Sequence, residues 1–282
     1  DCEAQRMDPE AAVDYLNKLL VGRYGAITVV IFFRGEPALC PDTIKAVCDF
    51  FVQKARAGVF SCLPTFTMVT NGTLIDKALA QTIHKYGIRV TISLDGPPQI
   101  NNLLRVDRAG RGSFEAAARG INNLRAAGCT PRMIEATYTT LHDKLGYTKA
   151  AIHNYLQDLT GAEHIMVANC GEGGLDESLA LPPDHAVCTL EEEFNEQDES
   201  RLIGDINRKQ FFDITCDAGA SSCALMPDGA LYPCHFFVGK PEYRMARYVN
   251  GAFDFGDYAA VAARLAPAHK LQNPGCKDCW AK

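Results

Sequence analysis

Five short runs rich in β-branched and aromatic residues constrain the fold of this chain most: AITVVIFF (26–33), TFTMVTNG (65–72), RVTISLDG (89–96), RMIEATYT (132–139) and HIMVAN (164–169). Near-continuous apolar runs of this length are the mark of strands covered on both faces. Helical stretches separate them: one from about Pro41 to Ala57, LIDKALAQTIHKYG with Gly87 as its C-terminal stop, SFEAAARGINNLRAAG, and YTKAAIHNYLQDLTG. An amphipathic helix, MDPEAAVDYLNKLL, stands before the first run, opened by Asp8 with Pro9 in its first turn. Strand and helix recurring about every 30 residues predict a parallel sheet covered by helices, either a barrel or a doubly wound sheet. Periodicity does not choose between the two. In both, function gathers on the loops that follow the strands. Here those loops read Arg34-Gly35-Glu36-Pro37, Thr70-Asn71-Gly72, Ser93-Leu94-Asp95-Gly96 and Ala168-Asn169-Cys170.

With 282 residues, 47% of them hydrophobic, the chain can bury one large core or a barrel with an appendage. Its net charge is -6 and opposite charges are interspersed, so no nucleic-acid partner is expected. The longest clean apolar run, Ala26 to Phe33, is too short to cross a membrane, and DCEAQRMDPE carries no charged-then-apolar leader. A soluble, cytoplasmic chain with no membrane partner is therefore expected. Twelve cysteines are too few, over this length, for a secreted disulfide scaffold. Cys40, Cys48, Cys62, Cys129, Cys170 and Cys188 are scattered singly and read as small buried apolar residues.

After about Gly171 the rhythm breaks. GEGGLDESLALPPDH reads as a loop and AVCTLEEEFNEQDESRLIGDINRKQF as an acidic helical stretch, and from Cys216 the chain becomes turn-rich. ALMPDGALYPC predicts two short strands around Pro227-Asp228-Gly229, a β-hairpin. A boundary near residue 210 divides a barrel-like part, 1–210, from a Cys-rich part, 211–282. The hairpin brings Cys216 and Cys234 near each other, and Cys276-Lys-Asp-Cys279 offers two more thiols on one tight turn. Thiolates at C-x17-C and C-x2-C spacing suit a tetrahedral zinc ion as well as an iron-sulfur cluster, and spacing does not discriminate.

Cys216, twelve residues, Gly229, four residues and Cys234 resemble the opening of the C-terminal auxiliary-cluster (SPASM) domain of radical S-adenosylmethionine enzymes. Cys276-x2-Cys279 resembles the next part of that pattern. Upstream, RGEP resembles the family's GGEP loop, TNG follows the next strand, and SLDGPPQINNLLRVDRAGRGSF is similar to its SLDG-to-Arg-to-Gly-x-Gly-x-F stretch. The resemblance implies a partial (β/α)6 TIM-like barrel followed by a SPASM domain, with S-adenosylmethionine and [4Fe-4S] clusters as cofactors. It implies that Gly35 and Glu36 meet the methionine ammonium and that Ser93 and Arg105 grip the methionine carboxylate, a task suited to a guanidinium fork. Asn71 and Asp95 join them as weaker cofactor-side candidates whose competing role is to stabilise turns. Cys216, Cys223, Cys234, Cys276 and Cys279 are the implied auxiliary-cluster ligands. Cys223 decides whether the first cluster is closed or keeps an iron open to a substrate thiol.

The same resemblance implies the chemistry. Reductive cleavage of S-adenosylmethionine yields a 5'-deoxyadenosyl radical, which takes hydrogen from an unactivated carbon of a peptide residue. Sulfatase-maturing members carry Asp after the hairpin's last cysteine. This chain has His235, in YPCHFFVG, which resembles the thioether-forming maturases of six-cysteine peptides and of quinohemoprotein amine dehydrogenase. His235 is the candidate proton acceptor, with packing or hydrogen bonding as its competing role. The implied partners are a Cys-containing peptide or small protein, recognised in part through a leader segment, and an electron donor such as ferredoxin or flavodoxin.

Three departures accompany the resemblance. The family's C-x3-C-x2-C triad is not found in the chain and is expected ahead of Asp1, after a first strand. Further cysteines are expected beyond Lys282. Arg34 stands where the family has the first glycine of GGEP. The alternatives are another peptide oxidation, such as carbon-carbon crosslinking or formylglycine formation, and a metal-stabilised, non-catalytic peptide-binding scaffold. A zinc hydrolase or aldolase fits poorly, because no His/Asp/Glu ligand set ends the strands.

Overall fold

The computed structural model describes residues 6–22, 25–60, 62–171, 177–182 and 218–266. Five parallel strands form one sheet: β1 (Val29–Phe32), β2 (Thr65–Thr70), β3 (Arg89–Ser93), β4 (Met133–Tyr138) and β5 (His164–Asn169). Their spatial order is β1-β2-β3-β4-β5, the order in which they occur in the chain. That order decides between the two architectures the periodicity left open. A doubly wound sheet reverses direction at a switch point, whereas a sheet that always adds its next strand on the same side keeps its right-handed crossover helices on one face. The sheet is the wall of a partial TIM-like barrel.

Burial alternates along the central strands as that arrangement requires. Phe66, Met68 and Thr70 on β2, Val90 and Ile92 on β3, and Ile134, Ala136 and Tyr138 on β4 are buried. They pack on the side of the helices α2 (Pro41–Arg56), α3 (Lys77–Tyr86), α5 (Phe114–Ala126) and α7 (Lys149–Thr160). The helices contribute Ile44, Phe51, Ile83, Leu124 and Ile152 to the same layer. The intervening strand residues are only half-buried and form an open face. The in-register pairs Val69↔Thr91, Thr91↔Met133 and Ser93↔Glu135 run across it.

Local signals account for the helix ends. Asp8 caps α1 (Pro9–Val21), its Oδ1 accepting the N–H groups of Glu10 and Ala11 at 3.0 and 2.9 Å. Gly87 ends α3 in the left-handed region, its N–H reaching His84 O and Ile83 O. Two short helices lie where no helix is predicted: α4 (Pro98–Leu104) inside the SLDG-to-Arg stretch and α6 (Thr140–Lys144) directly after β4. Both are shorter than the windows in which helical periodicity is visible.

By contact density the chain divides into 26–193, which holds this sheet, and a second unit of 1–25 with 194–282. The second unit gathers α1, the hairpin of β6 (Ala224–Leu225) and β7 (Leu231–Tyr232), the hairpin of β8 (Arg247–Val249) and β9 (Ala252–Asp254), and α8 (Tyr258–Leu265). Leu19, Leu231, Met245, Ala246 and Val261 make its core. Tyr15 of α1 stacks edge-on against Tyr248, with ring centroids 4.7 Å apart. The predicted turn at Pro227-Asp228-Gly229 is present: Gly229 has φ +76, and Asp228 Oδ1 accepts Ala230 N–H at 3.0 Å. A Cβ on Gly229 would come within 2.5 Å of Tyr248 Cβ, so the close approach of the second hairpin, as well as the dihedral, requires glycine. Among the described residues no helix is long and apolar enough to cross a membrane. The predicted acidic helical stretch lies outside the described residues.

Candidate active site

The loop after β1 is organised by a carboxylate. Glu36 caps the 3-10 turn Pro37–Leu39; its Oε1 accepts Ala38 N–H at 3.0 Å and the Thr70 hydroxyl at 2.5 Å, and its Oε2 accepts Asn71 N–H at 2.9 Å. Thr70 ends β2 and Asn71 follows it, so one side chain ties together the ends of two neighbouring strands. Asn71 Oδ1 then accepts the backbone N–H and the hydroxyl of Thr73, at 2.9 and 2.7 Å. Glu36 Oε2, with one bond made, retains acceptor capacity for a further donor. Gly35, beside it, is exposed with φ +62 and open space where a Cβ would stand.

A second network closes the loop after β3. The Asp95 side chain is 4% exposed and forms a bidentate pair with Arg105: Nε donates to Oδ2 at 2.6 Å and Nη2 to Oδ1 at 2.9 Å. Oδ1 also accepts Thr137 N–H from β4 at 2.9 Å. Asp95 N–H donates to Oδ1 of the fully buried Asn101, at 3.0 Å. The carbonyl of Asp95 faces Nε2 of the fully buried His142 at 2.8 Å, and His142 Nδ1 lies 3.1 Å from Thr139 N. A carbonyl accepts and an N–H donates, so His142 is the neutral Nε2–H tautomer. Asp95 is thus committed to positioning Arg105. The Arg105 side chain is 30% exposed and holds its guanidinium in a fixed plane, with Nη1 outside the fork. Ser93, the last residue of β3, lies on the open face directly opposite Glu135 of β4.

Glu36 and Asn71 therefore share one network and Asp95 and Arg105 another, at the carboxyl ends of strands in a single sheet. The remaining acceptor capacity of Glu36 Oε2, beside its bond from Asn71 N–H, and an oriented guanidinium at Arg105 suit the ammonium and carboxylate of an amino acid. The structure adds two residues that the sequence reading passed over, Asn101 and His142, and gives Thr70 of the second loop a partner in Glu36. The capping box of α6 closes with His142 at its third position, so the usual Ser/Thr-x-x-Glu/Gln pattern does not reveal it.

The cysteine cluster is described only in part. Cys216, Cys276 and Cys279 lie outside the described residues. Cys223 immediately precedes β6, and Cys234 precedes the 3-10 turn His235–Phe237, so both flank the open end of the first hairpin as thiols. Among the described residues no three His, Cys, Asp or Glu side chains converge as a metal site. The His235 ring lies 4.2 Å from that of Phe236, centroid to centroid.

The radical SAM superfamily model matches residues 2–158, more than half of the 282, and the chain belongs to that superfamily. It is 26% identical over 231 residues to the serine-type anaerobic sulfatase-maturating enzyme of Klebsiella aerogenes, covering 77% of this chain and 55% of that protein. It is 25% identical over 240 residues to the cysteine-type anaerobic sulfatase-maturating enzyme of Clostridium perfringens, covering 73% and 59%. The chain thus spans a little over half the length of these curated relatives. Native anSMEcpe with bound AdoMet shares its fold at a TM-score of 0.70 and 20% identity, over 97% of this chain and 78% of that one. The same protein with bound AdoMet and Kp18Cys peptide superposes at 0.69.

Proposed function

We propose that this chain belongs to a maturase that modifies a peptide or small protein, joining a Cys sulfur to an unactivated carbon as a thioether. S-adenosylmethionine held against a [4Fe-4S] cluster supplies the hydrogen-abstracting 5'-deoxyadenosyl radical for such chemistry. The observation that carries the reading is the pair of strand-end networks. Glu36 Oε2 offers an acceptor to the cofactor's ammonium, and Arg105, oriented by Asp95, offers its guanidinium with the Ser93 hydroxyl to the carboxylate. Gly35 leaves the approach to Glu36 unobstructed, and Asn71 holds the neighbouring loop. The reading requires a C-x3-C-x2-C triad to hold the cluster that meets the cofactor. Cys216, Cys223, Cys234, Cys276 and Cys279 are assigned to auxiliary clusters, and His235 to the substrate side as proton acceptor.

The thioether outcome rests on His235 following Cys234. The likeness to two sulfatase-maturating enzymes favours a second outcome, formylglycine on a Ser or Cys side chain. Anaerobically reconstituted full-length protein, given reductant, S-adenosylmethionine and a Cys-rich peptide, separates them. A product that has lost two hydrogens and one alkylatable thiol is the thioether, while one that reacts with a hydrazide is the aldehyde. Absence of 5'-deoxyadenosine, or zinc without iron in the purified protein, overturns the radical reading and leaves the non-catalytic scaffold.

A further inference from the structure

The fork between Asp95 and Arg105 is held from outside at several points. Asp95 Oδ1 accepts Thr137 N–H, its own N–H donates to Asn101 Oδ1, and its carbonyl accepts from His142 Nε2 at 2.8 Å. At the other end Arg105 N–H donates to Asn101 O at 2.8 Å, and Arg105 O accepts Ser113 N–H at 3.1 Å. Asn101 of α4 thus touches both partners of the fork, whereas His142 reaches it from α6, 47 residues beyond Asp95. The carbonyl that His142 meets belongs to the Asp95–Gly96 peptide, the link from β3 into α4. Gly96 has φ +136, and a Cβ there would come within 2.7 Å of Ile152 Cδ1 and 3.0 Å of Ile100 Cγ2, so both the dihedral and the packing call for glycine. Glycine leaves that peptide freer to turn, and a hydrogen bond has to fix its plane. Arg105 caps the far end of α4, so the plane of this peptide governs where the helix delivers the guanidinium.

A donor can orient a peptide only if it is itself fixed. The His142 ring is fully buried, its Nδ1 accepts Thr139 N–H at 3.1 Å in the capping box of α6, and its face stacks on Tyr138 with centroids 4.8 Å apart at 27°. Tyr138 is anchored in turn, its hydroxyl 2.5 Å from Tyr147 O. Resting on the assignment of Arg105 to the carboxylate of S-adenosylmethionine, we infer that His142 is a positioning residue for that carboxylate. It acts through the Asp95 carbonyl on the direction of the Arg105 guanidinium and is not itself a contact of the cofactor. The competing role, filling space and capping α6, would leave the preference for one ligand over another unchanged.

The test uses full-length protein with its iron-sulfur clusters reconstituted anaerobically. It reads equilibrium binding of S-adenosylmethionine and of decarboxylated S-adenosylmethionine, which lacks the group that Arg105 serves. Wild type should prefer the carboxylate-bearing ligand by about tenfold or more, as expected for charge-assisted hydrogen bonds. His142→Gln and His142→Met are then compared, with circular dichroism confirming that each folds. Both lose the ring and the cap and have side chains of similar length, but only Gln keeps an N–H donor for the Asp95 carbonyl. In His142→Met the preference should fall to about twofold through weaker binding of S-adenosylmethionine alone, while His142→Gln keeps most of it. Should His142→Met not fold, His142→Asn replaces it: the shorter amide can meet Thr139 N–H but stops short of Asp95, and the same loss is expected. Equal weakening of both ligands, or the wild-type preference retained without the donor, overturns the positioning role, as does an equal loss in His142→Gln and His142→Met. A wild type that binds the two ligands alike removes the assignment of Arg105 itself, a result read before any His142 variant is made.

Discussion

Arg34 occupies the left-handed region, φ 73, directly before Gly35 at φ 62, so the loop after β1 contains two successive positive-φ residues. A side chain there costs about 1–2 kcal/mol relative to glycine, which explains in physical terms why a Gly-Gly pair serves such a loop. Arg34→Val should be less stable than Arg34→Gly by about 1–2 kcal/mol in urea unfolding, a comparison in which both variants lose the same guanidinium. Asp95→Ala tests a different kind of constraint, because it leaves Arg105 without its fork partner and Thr137 N–H without its acceptor. A loss of about 2 kcal/mol is expected, less than for a wholly buried pair because Arg105 is partly exposed. Affinity for S-adenosylmethionine should fall in the same variant as the guanidinium loses its orientation. Cys48 makes the opposite case, that of a thiol with no site attached. It is fully buried, and that burial pushes its pKa up to about 12. That burial keeps the Cys48 thiol protonated and out of reach at about pH 8, so iodoacetamide should label exposed Cys62 long before Cys48, as mapped by peptide mass.

Helix α5 shows what a single missing side chain does for the alignment of an element. A Cβ on Gly120 would lie 2.1 Å from the carbonyl oxygen of Gly72, in the loop after β2. The helix therefore packs directly on that loop, while Asn123 Nδ2 donates to Ile75 O at 2.8 Å from the same helix. Gly120→Ala should cost about 2–3 kcal/mol by forcing α5 off the loop, read as a lower urea midpoint with an unchanged m-value. The five strands and their long helices were legible in the sequence, because each carries enough residues for its apolar period to show. The 29–32 core of the first run is shorter than AITVVIFF suggests, since only four of its residues pair with β2. The short α4 and α6 were not legible. The pairing of Asp95 with Arg105 was equally hidden, because ten residues of sequence separate two side chains that only α4 brings together. Motif resemblance named candidate residues for the site, but not that Asp95 supports Arg105 or that Glu36 is shared between two loops.

Across the molecule, the two compact units differ in how they are held. The sheet-bearing unit has a continuous apolar layer under β2, β3 and β4, whereas the described core of the other rests on Leu19, Leu231, Met245, Ala246 and Val261. If thiolates of the second unit hold iron, removing the metal should act locally. In iron-free full-length protein, amide hydrogen exchange should stay slow in β2–β4 and become fast around the Ala224–Tyr232 hairpin. Equal loss in both would show that the metal stabilises the whole chain. The strand order has a further consequence for biosynthesis. Within the five-stranded sheet of the described residues, each of β2 to β5 pairs with the strand translated immediately before it, so on a ribosome each of them meets a finished edge and needs no insertion between earlier ones. Such a wall grows vectorially, one strand and helix at a time, with the β1 edge left in place while the other edge advances.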